Sequence, residues 1–274
     1  EINSNDVQIL FTTHSTVIVD QMEHSDIILI RKVTDVKRKF KSTIKQLSQT
    51  FWSDYNLNEL KYNKFHRFKN SEFFFANHIM VTESDIDSEV FRTLLYKNNI
   101  HLEKLGISIL ELGGITSLKY AFYLIRDLEL PKTFIVDKDF FFPYLNNKKV
   151  DSRDTNGFFK YKKVFKSSTL IQEIFHIKTK RDLIEKHLSN NHTKSLSLTP
   201  EFDLICLNYN LEMDILSTSN SKEVMCNYLN LTPPNRTVKY LLTKRENRIK
   251  DIDVLLNVIN NSEKRNLPFS YRHI

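Results

Sequence analysis

The sequence predicts an α/β fold built on a parallel sheet. Short apolar runs are bounded by turn residues, amphipathic helix-length stretches lie between them, and acidic residues repeatedly close the apolar runs.

Taken in order, residues 7–13 and 26–31 read as strands rich in Val, Ile and Leu, with a short helical stretch near 16–23 between them. Residues 35–50 are charged and weakly helical, and 51–70 are polar and aromatic without a clean period, so 35–70 reads as a connector. From residue 71 the α/β alternation begins. His78-Ile79-Met80-Val81 marks a buried strand over 77–82, and 84–96 follows as a helix with Val90, Phe91, Leu94 and Leu95 on one face. A second strand spans 107–111 and closes on Gly113-Gly114. A second helix spans 115–128, with Leu118, Ala121, Phe122 and Ile125 as its stripe. Pro131 ends that connection, 133–136 forms a third strand stopped by Asp137, and 203–207 forms a fourth. Between the last two, about 145–200 reads as a basic, largely helical insertion. From about 220 the chain reads as helical, broken at Pro233-Pro234. The chain thus divides into 1–34, 35–70 and 71–274.

Apolar residues make up 41% and aromatics 12%, enough for a core rather than a disordered chain. No stretch approaches the roughly 20 apolar residues of a membrane span. The opening residues are polar and acidic rather than signal-like, and Cys206 and Cys226 form neither a metal-ligand pair nor a disulfide framework. Together these predict a cytoplasmic protein with no membrane partner. The chain opens at Glu1, close to a strand, and is expected to be a piece of a longer protein. The net charge is +7, unevenly spread. Lys148, Lys149, Lys160, Lys162 and Lys163 crowd one segment, interleaved with Phe158, Phe159 and Tyr161. Lys239, Lys244, Arg245, Arg248 and Lys250 crowd another. Such runs suit the phosphates of DNA, although each alone is also what a solvated face looks like.

In a parallel sheet the carboxyl ends of the strands form the functional edge. Glu83 directly follows the first predicted strand of that sheet, Asp137 and Asp139 follow the third, and Glu212 and Asp214 follow the fourth after a short loop. Asp87 lies one helical turn beyond Glu83. Hard cations take several carboxylate oxygens, and a pair of them activates water and stabilises a leaving oxygen in phosphodiester cleavage. Carboxylates gathered without a cation repel one another, so the constellation predicts Mg²⁺ or Mn²⁺, as two ions. Asp87 also fits a capping box over Ser84-Asp85-Ile86-Asp87, and Asp139, Glu212 and Asp214 taken singly read as loop or surface acids. Convergence from separate strand ends favours the metal site.

These residues carry a resemblance. Ile79 to Phe91 is similar to the opening TOPRIM motif of OLD-family (overcoming lysogenization defect) nucleases, Ile135-Val136-Asp137-Lys138-Asp139 resembles their Asp-x-Asp motif, and Leu211-Glu212-Met213-Asp214 resembles their later Leu-Glu-x-Asp segment. The stretch 68–76 is similar to the lead-in to the TOPRIM strand. Residues 8–30 resemble the end of an ABC-type ATPase core, with Thr12-Thr13-His14-Ser15 like its switch-histidine loop. Two positions depart from the pattern: Thr82 stands in place of Val, and Ser84 in place of Gly.

The resemblance implies a TOPRIM Rossmann-like sheet with a helical insertion, preceded by the C-terminal tail of an ABC-type ATPase domain over 1–34. It implies a metal-dependent DNA endonuclease, part of an antiphage defence effector as in Gabija and retron systems. Glu83 and Asp137 would be catalytic, with Glu83, Asp87, Asp137, Asp139, Glu212 and Asp214 as metal ligands. A late lysine would offset phosphate charge, Lys244 first and Lys239 second. His14 would be ATP-related in a full-length form that dimerises through its ATPase half and meets a partner protein or nucleic acid. Glycine occurs only at Gly106, Gly113, Gly114 and Gly157, so the chain itself holds no P-loop. The alternatives are a DNA-binding or regulatory module with a degenerate metal site, for which Ser84 argues, and an interaction domain that leaves cutting to another chain.

Overall fold

A computed structural model describes residues 9–34, 39–58, 71–146 and 148–274. Its centre is a four-stranded parallel sheet in the order β4-β3-β5-β6, formed by β3 (His78–Thr82), β4 (Ile107–Glu111), β5 (Lys132–Val136) and β6 (Leu204–Cys206). Successive residues of these strands enter opposite cores, as a pleat with a period of two requires. Ile79, Val81, Phe134, Val136, Leu204 and Cys206 face one core; Met80, Ile135 and Ile205 face the other.

Helices cover both faces. α3 (Asp85–Lys97) follows β3 and buries Val90, Phe91, Leu94 and Leu95 in the second core. α5 (Leu118–Asp127) follows β4 and buries Leu118, Ala121, Leu124 and Ile125 in the first. The β3–β4 and β4–β5 crossovers thus run on opposite faces and in opposite lateral directions. That reversal opens a crevice between the carboxyl ends of β3 and β5. Between α3 and β4, α4 (Leu102–Leu105) ends at Gly106, whose φ of 66° is left-handed. A Cβ there would come to 2.5 Å from Asn77 Nδ2. Gly106→Ala is expected to lower stability by about 1–2 kcal/mol, read as a reduced urea midpoint at unchanged slope.

The elements before the sheet differ from the expectation. Of the strand expected over 7–13, residues 9–13 are irregular, with Leu10 83% exposed, and the rest lies outside the described residues. A strand needs a partner for its N–H and C=O groups, and none pairs with this run among the described residues. α1 (Thr16–Val19) follows. The next strand runs over β1 (Leu29–Thr34) and pairs antiparallel with β2 (Phe40–Lys45). β2 lies in the stretch read as weakly helical. Ladder pairing, including Ile30 opposite Ile44, outweighs the local preference of its charged residues. α2 (Phe51–Asp54) packs Phe51 into the first core. Of the lead-in to the sheet, 71–75 is a 3₁₀ turn burying Phe73 and Phe74; 68–70 lie outside the described residues.

After α6 (Lys138–Phe141), the first half of the insertion is irregular rather than helical. Isolated antiparallel bridges join Tyr144 to Tyr161 and Arg153 to Phe159. Asp154 accepts the Asn156 and Phe158 amides at the turn, and Gly157 adopts φ 94°. These local bonds compete with a helix. Helix resumes at α7 (Thr169–Ile174), α8 (Lys178–Asn190) and α9 (His192–Ser195). Beyond β6, α10 (Leu211–Leu216), α11 (Ser219–Tyr228), α12 (Val238–Lys244), α13 (Glu246–Ile249) and α14 (Ile252–Asn261) cover the second core. Lys97, at the end of α3, donates to the Ile259 and Asn260 carbonyls at 2.6 and 3.0 Å and so clamps α14 onto α3.

Candidate metal centre

Neighbouring strands carry the first acids to the crevice. β3 and β5 pair through Val81 and Phe134, so Glu83, just past β3, and Asp137, just past β5, emerge side by side. Ser84 caps α3: its amide and hydroxyl donate to Asp87 Oδ2 at 2.9 and 2.8 Å, and its hydroxyl accepts from the Asp87 amide. The capping box is therefore real, and it also fixes Asp87 at the crevice. Asp137 stands at the N-cap position of α6 without a side-chain capping bond, and Asp139 lies in the first turn. The Lys138 amide donates to the Tyr209 carbonyl at 2.9 Å, tying this turn to the loop after β6. In that loop Asn210 caps α10 through the Met213 amide and donates to Glu212 Oε1 at 2.9 Å. Glu83, Asp87, Asp137, Asn210 and Glu212, with Lys250, line one cavity of about 200 Å³.

Burial and mutual repulsion dominate the electrostatics. Burial pushes the Glu83 carboxyl up to about 7, helped by the charges of Asp139 and Asp87. It pushes Asp87 up to about 6 against the bonds from Ser84. Asp137 is held well above the usual carboxylate range by burial and then by Asp87, Glu83, Asp139 and Glu212, which shows how closely these five stand. Glu83 Oε2 is buried without a hydrogen-bond partner. Lys250 lies 3.8 Å from Glu212, and Lys149 carries positive charge toward Glu83. The Tyr144 hydroxyl donates to Asp139 at 2.6 Å; burial and that carboxylate push its pKa far up, so it remains a donor.

An orphaned buried carboxylate oxygen among acids that resist ionisation, with donors that are all oxygen, fits a hard divalent cation. Among the described residues no three His, Cys, Asp or Glu side chains already form a closed ligand set.

Asp139, Asp214, Lys239 and Lys244 do not line this cavity. Asp214 is fully buried behind the cavity, accepting from the Asn208 and Tyr209 amides and the Ser270 hydroxyl at 2.8–2.9 Å. It shapes the loop that presents Glu212 and has no face toward the cavity. Lys244 is exposed at the end of α12 and does not line the cavity, and Lys239 is also exposed. Lys250, from the same basic run, is the lysine that does. His14 is exposed, its ring 5.9 Å from that of Phe75. Lys148, Lys149, Lys160, Lys162 and Lys163 are all exposed. Lys250, Asn210 and Tyr144 were not singled out from the sequence. Spacing does not separate Lys250 from its basic neighbours, and a lone Asn or Tyr carries no chemical pattern.

A parallel sheet flanked by helices, with carboxylates gathered at its central strand ends, is the arrangement of an α/β domain that binds a divalent metal ion. More narrowly, residues 74–139 match the family model for the TOPRIM domain of overcoming lysogenization defect protein-like proteins, a segment holding Glu83, Asp87, Asp137 and Asp139. That segment is thus similar to an OLD-like TOPRIM domain, a resemblance that suggests metal-dependent nuclease-type chemistry with a divalent ion such as Mg²⁺. Similar solved structures include the C-terminal region of the Xanthomonas campestris pv. campestris OLD protein, 15% identical, with 73% of this chain and 93% of that one covered and a TM-score of 0.42. Another is the C-terminal region of the Burkholderia pseudomallei OLD protein, 16% identical, covering 72% and 94%, with a TM-score of 0.40. No curated protein matches the sequence. Among the described residues no helix is long and apolar enough to cross a membrane.

Proposed function

We propose that the chain is the nuclease part of a metal-dependent DNA endonuclease serving an antiphage defence effector. The observation that carries this reading is the buried, unpartnered Glu83 oxygen beside the charge-burdened Asp137 carboxyl at the switch point of the sheet. Glu83, Asp87, Asp137 and Asp139 would hold one ion, and Glu212 is available for a second. Bound Mg²⁺ or Mn²⁺ would supply the activated water and Lewis acidity at phosphorus. Lys250 places its ammonium at the cavity to offset phosphate charge. Lys148, Lys149, Lys160, Lys162 and Lys163 hold the DNA backbone without reading its sequence. Residues 1–34 are assigned to the tail of an ATPase domain, with His14, ATP, dimerisation and any defence partner belonging to a full-length cytoplasmic form.

Cleavage of supercoiled plasmid with Mg²⁺ or Mn²⁺ tests the reading. The parent is expected to nick or cut, and Glu83→Ala to be silent. Lys250→Ala should lose about 10²-fold in rate, whereas Lys244→Ala should stay close to the parent. Equal cutting by Glu83→Ala sinks the site assignment, and equal loss at Lys244 sinks the choice of lysine. The Ser84 hydroxyl occupying Asp87 Oδ2 favours a second reading, a DNA-binding module with a degenerate metal site. In that case titration with Mg²⁺ or Mn²⁺ yields no saturable binding.

A further inference from the structure

α6 is a single turn with two of its side chains turned inward. Phe141 is fully buried. Lys138 turns inward, 8% exposed, toward Asn208 and the Tyr161 ring. Asp139 is partly buried, its charge pushes the Glu83 and Asp137 carboxyls up, and its carboxylate accepts the Tyr144 hydroxyl at 2.6 Å. That length marks a strong bond to a charged acceptor.

Tyr144 is itself held rigidly. Its backbone bridges to Tyr161, its ring stacks on that of Tyr161 at 5.3 Å and 25°, and it meets the buried Phe159 ring edge-on at 5.1 Å. Ser152, 1% exposed, ties the same loop together by accepting from the Asn146 amide and donating to the Lys148 carbonyl. Above this platform the Lys149 ammonium sits 5.6 Å from the Tyr144 ring and 4.9 Å from the Phe159 ring. One aromatic ring therefore touches an acid of the candidate metal centre at its hydroxyl and an exposed lysine at its face.

We propose that Tyr144 is a positioning residue of the metal centre, whose hydroxyl holds Asp139 in the orientation that accepts a divalent ion and whose ring seats Lys149 beside that ion's substrate. The inference rests on the metal-dependent reading above. Outer hydrogen bonds to ligating carboxylates fix ligand direction, and their loss typically weakens metal binding about 10–100-fold. Tyr144→Phe deletes the hydroxyl and keeps the ring, so it separates positioning from packing.

The test follows the Mg²⁺ concentration that gives half the metal-induced rise in Tm, alongside the Mg²⁺ and DNA concentrations for half-maximal plasmid nicking. Tyr144→Phe is expected to raise both Mg²⁺ midpoints about tenfold, with the metal-free Tm and the DNA midpoint close to the parent's. Tyr144→Leu also removes the ring under Lys149 and is expected to raise the DNA midpoint as well. A Tyr144→Phe protein whose Mg²⁺ midpoint stays within about twofold of the parent overturns the proposal, provided Asp139→Asn shifts it. A purely structural role would lower the metal-free Tm and leave the midpoint unmoved. If Mg²⁺ shifts neither the parent nor Asp139→Asn, the metal reading falls and takes the proposal with it.

Discussion

Asp137→Asn is expected to abolish cleavage while making the metal-free protein more stable. Nuclease activity should fall by about 10³-fold or more, because the substitution removes a central oxygen donor from a group that acts as a unit. The stability effect has the opposite sign. Asp137 is partly buried, and Asp87, Glu83, Asp139 and Glu212 all raise the cost of its charge. Asn has the same shape and no charge to desolvate. Near pH 8 the variant should therefore have a higher Tm than the parent without metal. It should also lose the stabilisation that saturating Mg²⁺ gives the parent, about 2.7 kcal/mol at a hundredfold excess over Kd. A variant both inactive and less stable without metal would show that Asp137 is a structural acid.

The pH dependence of the parent follows from the same burial. A carboxyl whose folded pKa is raised binds its proton more tightly when folded. Folding then weakens as pH rises from the unfolded value through the folded one. For Glu83 that window runs from 4.5 to about 7, for Asp87 from 3.8 to about 6, and for Asp137 it extends well above 3.8. His192 works against them lower down. Burial, with its ring nitrogen against the Cys206 carbonyl, depresses its pKa to about 4, so the unfolded chain takes up the extra proton between about 4 and 6.5. Below pH 6.5 the two effects offset; above it only the acids remain. The metal-free Tm is therefore expected to fall between pH 6.5 and 8.5 by about 2–4 °C, on the order of 1 kcal/mol. Saturating Mg²⁺ should remove most of that fall. A metal-free Tm that rises over this interval would contradict the packing of these carboxylates.

Much of the fold was legible because its sheet is central and parallel. Strands buried on both faces read as continuous apolar runs such as Ile79-Met80-Val81 and Phe134-Ile135-Val136, and α3 and α5 carry clear stripes. Of the hairpin β1–β2 only the first strand was legible, since the outward residues include Ile30, Phe40 and Ile44 and β2 draws its stability from pairing. The aromatic, lysine-rich loop at 144–161 was not legible either. It is held by isolated bridges and ring contacts between residues up to 17 apart, Tyr144 with Tyr161.

The sequence by itself determined which acids close the strands, because a strand end is a local event: an apolar run stops and a carboxylate follows, as at Glu83 and Asp137. Tertiary structure alone decided which of the later residues join them. Glu212 and Asp214 lie two apart in one motif, and on a helix, at about 100° per residue, such neighbours face nearly opposite ways. The packing of α10 sends Glu212 to the cavity and Asp214 inward to the Asn208 and Tyr209 amides. Likewise, Lys239, Lys244 and Lys250 are equivalent charges on paper. Burial of Leu241, Leu242 and Ile249 sets the course of α12 and α13 and brings only Lys250 to the acids. Apolar burial aims these polar groups, and the direction it gives them depends on the partners across the core rather than on the neighbours in sequence.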